Sequence, residues 1–232
     1  MTSSDAPAVA VVVAAGSGSR LGAAVPKALV ELDGVTLVRR AVDALTDAGI
    51  DEIVVTIPEG LAGEFAVALA GADGRVASVV GGATRQDSVR LGLAALTAPA
   101  DAIVLVHDAA RSLVPADTVR GVVAAVRDGA DCVIPVIPVV DSVRRVTGPG
   151  NEVVDRADLR AVQTPQAARL RVLRDAHDLV ARDGVDVTDD ATVCEYAGLS
   201  VTLVPGHRDA LKITEPIDLV LARAILEQRR QS

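Results

Sequence analysis

Aromatic residues are nearly absent from this chain of 232 residues, which has one Phe, one Tyr and no Trp. Because the bases of single-stranded nucleic acids stack on aromatic side chains, such a stacking platform cannot be built here in number. Long apolar runs are absent too, since the longest, residues 8–15, is far shorter than the roughly 20 residues that cross a bilayer. We expect no membrane partner, and we expect any base to be recognised by backbone groups.

Basic clusters and cysteine motifs are also missing, and no leader is expected. The net charge is -8, and no run of Lys and Arg is present to hold a phosphate backbone, so we expect no nucleic-acid partner. Cys132 and Cys194 lie far apart with no His nearby to complete a zinc set, so both are interpreted as core thiols. The first residues lack the basic start of a signal peptide, which favours a cytoplasmic location.

Short runs rich in Val and Ile alternate with longer segments whose apolar residues recur at helical spacing. This alternation is typical of buried parallel strands joined by helices. It predicts strands at 9–15, 52–57, 76–80, 103–107, 132–136 and 201–204, and helices at 36–48 and 116–128. We therefore expect one α/β domain over residues 1–232, with a doubly wound, mostly parallel, Rossmann-like sheet that binds ligands at the carboxyl ends of its strands.

Residues 138–157 break this alternation. Valines flank the turn-rich segment Thr-Gly-Pro-Gly-Asn at 147–151, which predicts a β-hairpin arm. A two-stranded hairpin is marginally stable alone, and support from a second subunit would give a homodimer built through the arm. The alternative is a hairpin folded onto its own domain.

The strongest motif is the Gly-rich segment 13–22, which follows the first predicted strand and leads to Lys27. Glycines let backbone N–H groups approach a phosphate closely and surround it. The segment is not a P-loop, because Lys27 does not directly follow its last Gly, and Leu21 stands where a dinucleotide fingerprint needs its third Gly. Arg20 and Lys27 would stabilise the charge that grows on a leaving pyrophosphate. An ordinary turn with surface cations is the alternative.

A second Gly-rich segment, 81–90, also follows a predicted strand and opens a helix. Gly82 would let the backbone read a base edge. Arg85 and Ser88 are spaced to face one pocket from the first helical turn, where Ser88 offers a hydroxyl to base or ribose. A well-made helix start with an exposed Arg is the alternative.

The segment 106–111 ends an apolar strand in a carboxylate. Asp108 is suited to hold Mg²⁺ that bridges triphosphate oxygens, although a helix-capping Asp would have the same position. His107 is interpreted as a packed histidine, because nothing pairs it with a nucleophile.

The C-terminal half offers polar groups for a second substrate, among them Arg156, Thr164 and Thr188. Thr188 is equally suited to cap the helix that follows it. Lys212 and Lys27 are the only two lysines of the chain. A lysine kept among many arginines indicates a site that needs a compact charge, with an exposed surface lysine as the alternative for Lys212.

Nearly end to end, the chain closely resembles the 2-C-methyl-D-erythritol 4-phosphate cytidylyltransferase family. The resemblance rests on Ala-Ala-Gly-Ser-Gly-Ser-Arg with Pro-Lys, Gly-Gly-x-x-Arg-x-Asp-Ser-Val, His-Asp-Ala-Ala-Arg, Asp-Arg, Thr-Pro-Gln, Thr-Asp-Asp and Leu-Lys-Ile-Thr, in this order. It implies the nucleotidyltransferase fold and the transfer of CMP from CTP to methylerythritol phosphate in the non-mevalonate isoprenoid pathway, with Mg²⁺ required and pyrophosphate released.

The resemblance also implies roles for individual residues. The catalytic residues would be Arg20, Lys27, Arg156 and Lys212, with Arg156 supplied by the arm of the neighbouring subunit. The nucleotide would be bound by Ala14, Ala15, Gly16, Gly18, Gly82, Arg85, Ser88 and Ala109. The second substrate would be bound by Asp108, Arg111, Ser142, Thr164 and Thr188, with Asp108 also on the metal. Ala83 stands where relatives often carry an acidic residue, which leaves the ribose contact open.

Two other functions stay open from the sequence. One is a cytidylyltransferase for another polyol phosphate, such as ribitol 5-phosphate. The other is a nucleotide-sensing module without catalysis, against which the retained cations argue. In the enzymatic case the substrate phosphate attacks the α-phosphorus in line, so positioning and charge neutralisation suffice and no protein nucleophile is needed.

Overall fold

The computed structural model describes residues 6–16, 21 and 25–231. Its strands are β1 Ala8–Val13, β2 Glu31–Leu32, β3 Val35–Thr36, β4 Glu52–Ile57, β5 Arg75–Val80, β6 Ile103–Asp108, β7 Cys132–Pro138, β8 Val143–Thr147, β9 Gly150–Val154, β10 Arg160–Val162, β11 Gln166–Arg169 and β12 Val201–Pro205. Its α-helices are α1 Leu37–Thr46, α2 Ala62–Ala68, α3 Arg85–Ala95, α4 Ala116–Arg127, α5 Leu170–Asp183, α6 Asp190–Tyr196 and α7 Pro216–Gln231.

The central sheet has the strand order β10-β7-β11-β6-β1-β4-β5, and β12 pairs with β7. The pairs β6–β1, β1–β4, β4–β5 and β7–β12 are parallel, which confirms a mostly parallel sheet. Strands β10 and β11 were not predicted, and both pair antiparallel with their neighbours. The sequence of β11, Gln-Ala-Ala-Arg, has no β-branched residue, so it carries no strand signal of its own.

Helices cover both faces of the sheet, as expected for a doubly wound fold. On one face, α1 and α4 share a core with the β1 residues Ala10 and Val12. On the other, α3, α5 and α6 share a core with Val9 and Val11. Because successive side chains of a strand point to opposite faces, the continuous apolar run of β1 supplies both cores. The two cysteines are buried in the second core, as predicted.

Most predicted elements are found with ends shifted by one or two residues. Helix α1 begins after Thr36, whose side chain accepts a hydrogen bond from the Arg39 amide and caps the helix. Gly49 and Gly129 follow α1 and α4 at positive φ, the conformation for which glycine was expected there. The main shift is in β1, which ends at Val13, so residues 14–16 follow the strand at the carboxyl edge of the sheet.

The predicted arm is a β-hairpin made of β8 and β9, which pair only with each other among the described strands. Val146 and Val153 are 79% and 69% exposed, so these apolar side chains are not covered by the described part of the chain. No described helix is long and apolar enough to span a membrane.

Candidate active site

A cleft opens at the carboxyl edge of the sheet, beyond β1, β5 and β6. The sheet pairing continues past the strand ends, since the Ala14 amide donates to the Thr56 carbonyl and the Ala109 amide donates to the Val13 carbonyl. Nine of the predicted site residues line this cleft: Ala14, Ala15, Gly16, Lys27, Gly82, Arg85, Asp108, Ala109 and Lys212. Two others, Gly18 and Arg20, lie outside the described residues.

The turn after β5 is shaped by close contacts that only glycine permits. A Cβ at Gly81 would lie 2.5 Å from the Ala15 Cβ, and a Cβ at Gly82 would lie 2.3 Å from the Asp87 Cβ. Ser88 is buried, and its hydroxyl accepts from the Gly82 amide at 3.1 Å and donates to the Thr84 carbonyl at 2.9 Å. The expectation that Ser88 presents its hydroxyl to the pocket therefore differs from the structure, in which Ser88 orients the Gly82 backbone.

Asp108 is the ionic centre of the cleft. Its Oδ2 lies 2.8 Å from Lys212 Nζ, and its Oδ1 lies 3.6 Å from Arg85 Nε. Burial alone would raise the pKa of Asp108, but the positive charges of Arg85 and Lys212 outweigh burial and lower this pKa to about 2. Asp108 is therefore ionised near neutral pH. It does not begin a helix, so the capping alternative is excluded.

Arg111 supports the cleft from outside. Its Nη1 donates to the Ala210 carbonyl at 2.8 Å, and its Nη2 donates to the Val162 carbonyl at 3.1 Å. Both Nη atoms of the guanidinium thus hold backbone carbonyls. Arg111 was predicted to bind the second substrate, but it does not line the cleft. The same segment is tied to Lys212 by the Ile213 amide, which donates to the Ala110 carbonyl at 2.9 Å. These bonds bring Lys212 to the carboxyl end of β6.

Lys27 enters the cleft from a short 3-10 helix, Lys27–Leu29. Asp218, in the first turn of α7, is near enough for Lys27 to contribute to its lowered pKa. Burial raises the pKa of Asp218, and hydrogen bonds from Thr214 and Glu215 lower it further than burial raises it. The N-terminus of α7 thus holds an ionised carboxylate in the neighbourhood of Lys27.

Thr164 lies behind the cleft in the irregular segment between β10 and β11. Its hydroxyl oxygen accepts from the Asp108 amide at 3.1 Å and lies 3.0 Å from His107 Nδ1. His107 Nε2 faces the Arg111 carbonyl at 3.3 Å, and because a carbonyl only accepts, Nε2 carries the proton and Nδ1 accepts from Thr164. Burial lowers the pKa of His107 to about 4, so the ring is neutral and packed, as expected.

The remaining predicted residues stay outside the cleft of this one chain. Arg156 lies near the end of the arm, after β9, and its Nη1 donates to the Val140 carbonyl. Ser142 lies in the same exposed arm region. Thr188 is exposed and does not cap α6, since the Asp189 side chain accepts from the Thr192 amide and is the cap. The N-cap interpretation of Thr188 is therefore wrong by one residue.

A model of the family IspD, 2-C-methyl-D-erythritol 4-phosphate cytidylyltransferase, matches residues 8–228. The chain belongs to this family. It is 48% identical to the 2-C-methyl-D-erythritol 4-phosphate cytidylyltransferase of Streptomyces coelicolor, over 98% of the chain and 87% of that protein. It is 46% identical to the one of Rhodococcus jostii, over 98% of the chain and 99% of that protein.

Solved structures of cytidylyltransferases share the fold of the chain. The crystal structure of 2-C-methyl-D-erythritol 4-phosphate cytidylyltransferase from Thermus thermophilus superimposes with a TM-score of 0.80 at 35% identity, over 94% of the chain and 98% of that structure. The 4-diphosphocytidyl-2C-methyl-D-erythritol synthase of Anaerococcus prevotii gives a TM-score of 0.83 at 26% identity, over 96% of the chain and 99% of that structure. The chain is thus a nucleotidyltransferase of the cytidylyltransferase family.

The donor set of the cleft fits a magnesium ion that arrives with phosphates. No cluster of three or more His, Cys, Asp or Glu side chains suited to a metal occurs in the part of the chain that the structure describes. Asp108 supplies one ionised carboxylate, a hard oxygen ligand. Mg²⁺ commonly takes one or two carboxylates and completes its shell with phosphate oxygens and water. A cytidylyltransferase with this cleft therefore needs no protein cage for the ion.

Sequence reasoning missed the buried polar residues behind Arg85. Arg85 Nη2 lies 2.8 Å from Asp190 Oδ2, and Asp190 Oδ1 lies 3.0 Å from His177 Nε2. Asp190 and His177 are each 1% exposed, which is unusual for charged and polar side chains. The only signal in the sequence was the pair Asp189-Asp190 at a helix start, which an ordinary helix cap explains equally well.

Proposed function

We propose that this chain transfers CMP from CTP to 2-C-methyl-D-erythritol 4-phosphate and releases pyrophosphate. The observation that carries the proposal is the meeting of Gly16, Gly82, two lysines and an ionised carboxylate in one cleft at the carboxyl edge of the sheet. Backbone N–H groups near Gly16 would hold the triphosphate, while the Gly82 backbone, fixed by Ser88, would read the base. The reaction serves isoprenoid synthesis, and we propose that it runs in the cytoplasm.

The proposed reaction needs no protein nucleophile. A phosphate oxygen of the second substrate forms a bond to the α-phosphorus of CTP, and the bond from that phosphorus to the bridging oxygen breaks as pyrophosphate leaves. Lys27, Lys212 and, by the resemblance, Arg20 neutralise the charge that develops on the transferred group and the leaving group. The cleft contributes position and charge, which account for most catalysis in phosphoryl transfer.

Magnesium belongs to this proposal as the cofactor. Asp108 would hold it, and when bound it would neutralise phosphate charge and align the triphosphate. In the structure both Asp108 oxygens face cations, Lys212 and Arg85. Because the Lys212 side chain is 42% exposed, we propose that it turns from Asp108 toward a phosphate when a nucleotide enters.

The second substrate is proposed to bind between subunits of a homodimer. The exposed valines of the arm and the position of Arg156 within it support an arm that reaches a second copy of the chain. Thr164, Thr188, Arg111 and Ser142 stay in the proposal as the phosphate and polyol side of the site, with Thr164 and Arg111 acting through the backbone they hold. In this proposal residues 1–232 are one domain, with 138–157 as its arm.

Turnover tests the proposal directly. Purified protein with CTP, Mg²⁺ and methylerythritol phosphate is expected to release pyrophosphate, with ATP, GTP and UTP as nucleotide controls. Faster turnover with ribitol 5-phosphate would assign the chain to that substrate instead. Binding of CTP with no pyrophosphate release from any polyol phosphate would identify a sensor and refute the proposed reaction.

A further inference from the structure

Arg85 lies between two carboxylates that compete for it. Its Nη2 is 2.8 Å from Asp190 Oδ2, whereas its Nε is 3.6 Å from Asp108 Oδ1. Asp108 faces the cleft, and Asp190 is buried behind it between α5 and α3. The shorter contact therefore goes to the buried carboxylate, which does not line the cleft, and the longer one goes to the carboxylate in the cleft.

Asp190 is fixed in place by its other partners. Its Oδ1 is 3.0 Å from His177 Nε2, in a contact where both side chains are 1% exposed. The first turn of α6 is also clamped to β11, because Gln166 Oε1 accepts from the Ala191 amide at 2.9 Å and Gln166 Nε2 donates to Asp189 Oδ2 at 3.0 Å. With backbone and side chain both held, Asp190 presents Oδ2 to Arg85 from one direction.

We propose that Asp190 is a positioning residue that holds Arg85 at the side of the cleft and keeps it from closing onto Asp108. The proposal rests on the proposed function, in which Asp108 must keep an oxygen accessible to the incoming nucleotide and its cation. A guanidinium forms its strongest pairs with two parallel N–H···O bonds. Such a pair between Arg85 and Asp108 would occupy both carboxylate oxygens, and the pull of Asp190 prevents it.

The structural alternative is that the Arg85–Asp190 pair only ties α3 to α6. Both readings predict that a change at Asp190 lowers stability, because a buried charge loses its partner. They differ in where Arg85 goes. If Asp190 positions Arg85, neutralising Asp190 leaves Asp108 as the main negative neighbour, and the guanidinium moves toward Asp108. If the pair only connects α3 to α6, the position of Arg85 relative to Asp108 is unchanged.

Crystal structures of the unliganded wild-type protein and of Asp190→Asn test the first consequence without any use of activity. Asn keeps the shape of the side chain and removes its charge. We expect an Arg85 nitrogen within about 3 Å of an Asp108 oxygen in the variant, the usual distance of a charge-assisted hydrogen bond. A separation unchanged from the wild-type crystal would overturn the proposal. If Asp190→Asn does not fold, His177→Gln loosens Asp190 alone and is expected to move Arg85 in the same direction.

Binding of CTP, measured by calorimetry, tests whether Asp190 acts through Arg85. Asp190→Asn is expected to weaken CTP binding about tenfold in the wild-type background, equivalent to about 1.4 kcal/mol, and less than about twofold in an Arg85→Ala background. Equal losses in both backgrounds would contradict the proposal. Glu52→Gln is the matched control, a buried carboxylate with an Arg partner at the opposite edge of the sheet, and should leave CTP binding unchanged in both. If the wild type binds no CTP, the proposed function fails, and the crystal comparison still decides the role of Asp190.

Discussion

Lys212 Nζ lies 2.8 Å from Asp108 Oδ2, which joins the segment before the last helix to the end of a central strand. Lys27 enters the same cleft from the segment after the first strand. The only two lysines of the chain thus converge on one carboxylate-centred site, although they are far apart in sequence. This convergence supports the proposal that the two lysines neutralise phosphate charge in the reaction.

Removal of either lysine is expected to lower the maximal rate. Lys27→Ala and Lys212→Ala should each reduce kcat by at least ~10²-fold, the scale for losing one transition-state charge partner. Arg75→Ala is the matched control, since Arg75 is an exposed cation at the opposite edge of the sheet and should leave kcat unchanged. Steady-state pyrophosphate release measures all three, and a loss under threefold for Lys27→Ala would contradict its role.

Alanine substitutions at two glycines near the cleft should differ in their effects on folding stability and on CTP binding. A Cβ at Gly16 meets no atom of the described residues within 4 Å, so Gly16→Ala is expected to keep the thermal midpoint while weakening CTP binding, because the methyl group takes the space that a phosphate needs. Gly82→Ala, by contrast, should lower both the thermal midpoint and the affinity for CTP, since its Cβ would collide with Asp87. Calorimetry and thermal unfolding separate the two effects.

Gly121 provides the control for these glycine variants. It lies in α4 with open space around it. Gly121→Ala should raise the free energy of unfolding by roughly 0.5–1 kcal/mol through helix propensity and leave CTP binding unchanged. If Gly16→Ala binds CTP as tightly as Gly121→Ala does, the Gly-rich turn does not hold the nucleotide.

The proposed dimer predicts that inactive variants complement each other. Arg156→Ala and Lys27→Ala proteins, each weak alone, should regain part of the activity when mixed, because in each mixed dimer one site carries both changes and the other site carries neither. The expected recovery is up to about one quarter of the wild-type rate at full subunit exchange. Exchange is verified with differently tagged chains, and verified exchange without recovery would indicate sites built within one chain.

Burial of His107 predicts a pH-dependent stability. Its pKa is about 4 in the folded chain and 6.5 when unperturbed, so between these values the unfolded state binds more protons and stability falls as the pH falls. Wild type should lose roughly 2 kcal/mol of unfolding free energy between pH 7 and 5 from this group alone. His107→Gln has no titrating group at this position, so its free energy of unfolding should fall correspondingly less between pH 7 and 5. Urea unfolding without added metal measures both proteins. Equal losses in the two proteins would show that His107 is not held neutral.

The meeting of several predicted site residues in one cleft was predictable from sequence because these residues follow directly after strands. Gly16, Gly82 and Asp108 each come within a few residues of a strand end, and the carboxyl ends of neighbouring parallel strands meet at one edge of the sheet. Local sequence therefore placed these residues together without knowledge of long-range contacts.

The roles of Ser88, Arg111 and Asp190 were not predictable for the opposite reason. Each depends on partners that local spacing does not reveal: the Gly82 backbone for Ser88, two remote carbonyls for Arg111, and Arg85 for Asp190. A motif identifies a polar side chain near a site, but the nearest partner decides whether it faces the ligand or the protein. The antiparallel strands β10 and β11 escaped prediction because short segments of small or charged residues become strands only by pairing with neighbours.

A crystal structure of the protein with CTP and Mg²⁺ tests the central claim most directly. The account predicts the triphosphate against the Gly16 turn and Lys27, the base against the Gly82 backbone, and the metal ion on Asp108. A nucleotide bound elsewhere, with the Gly-rich turn and Asp108 untouched at saturating CTP, would contradict it.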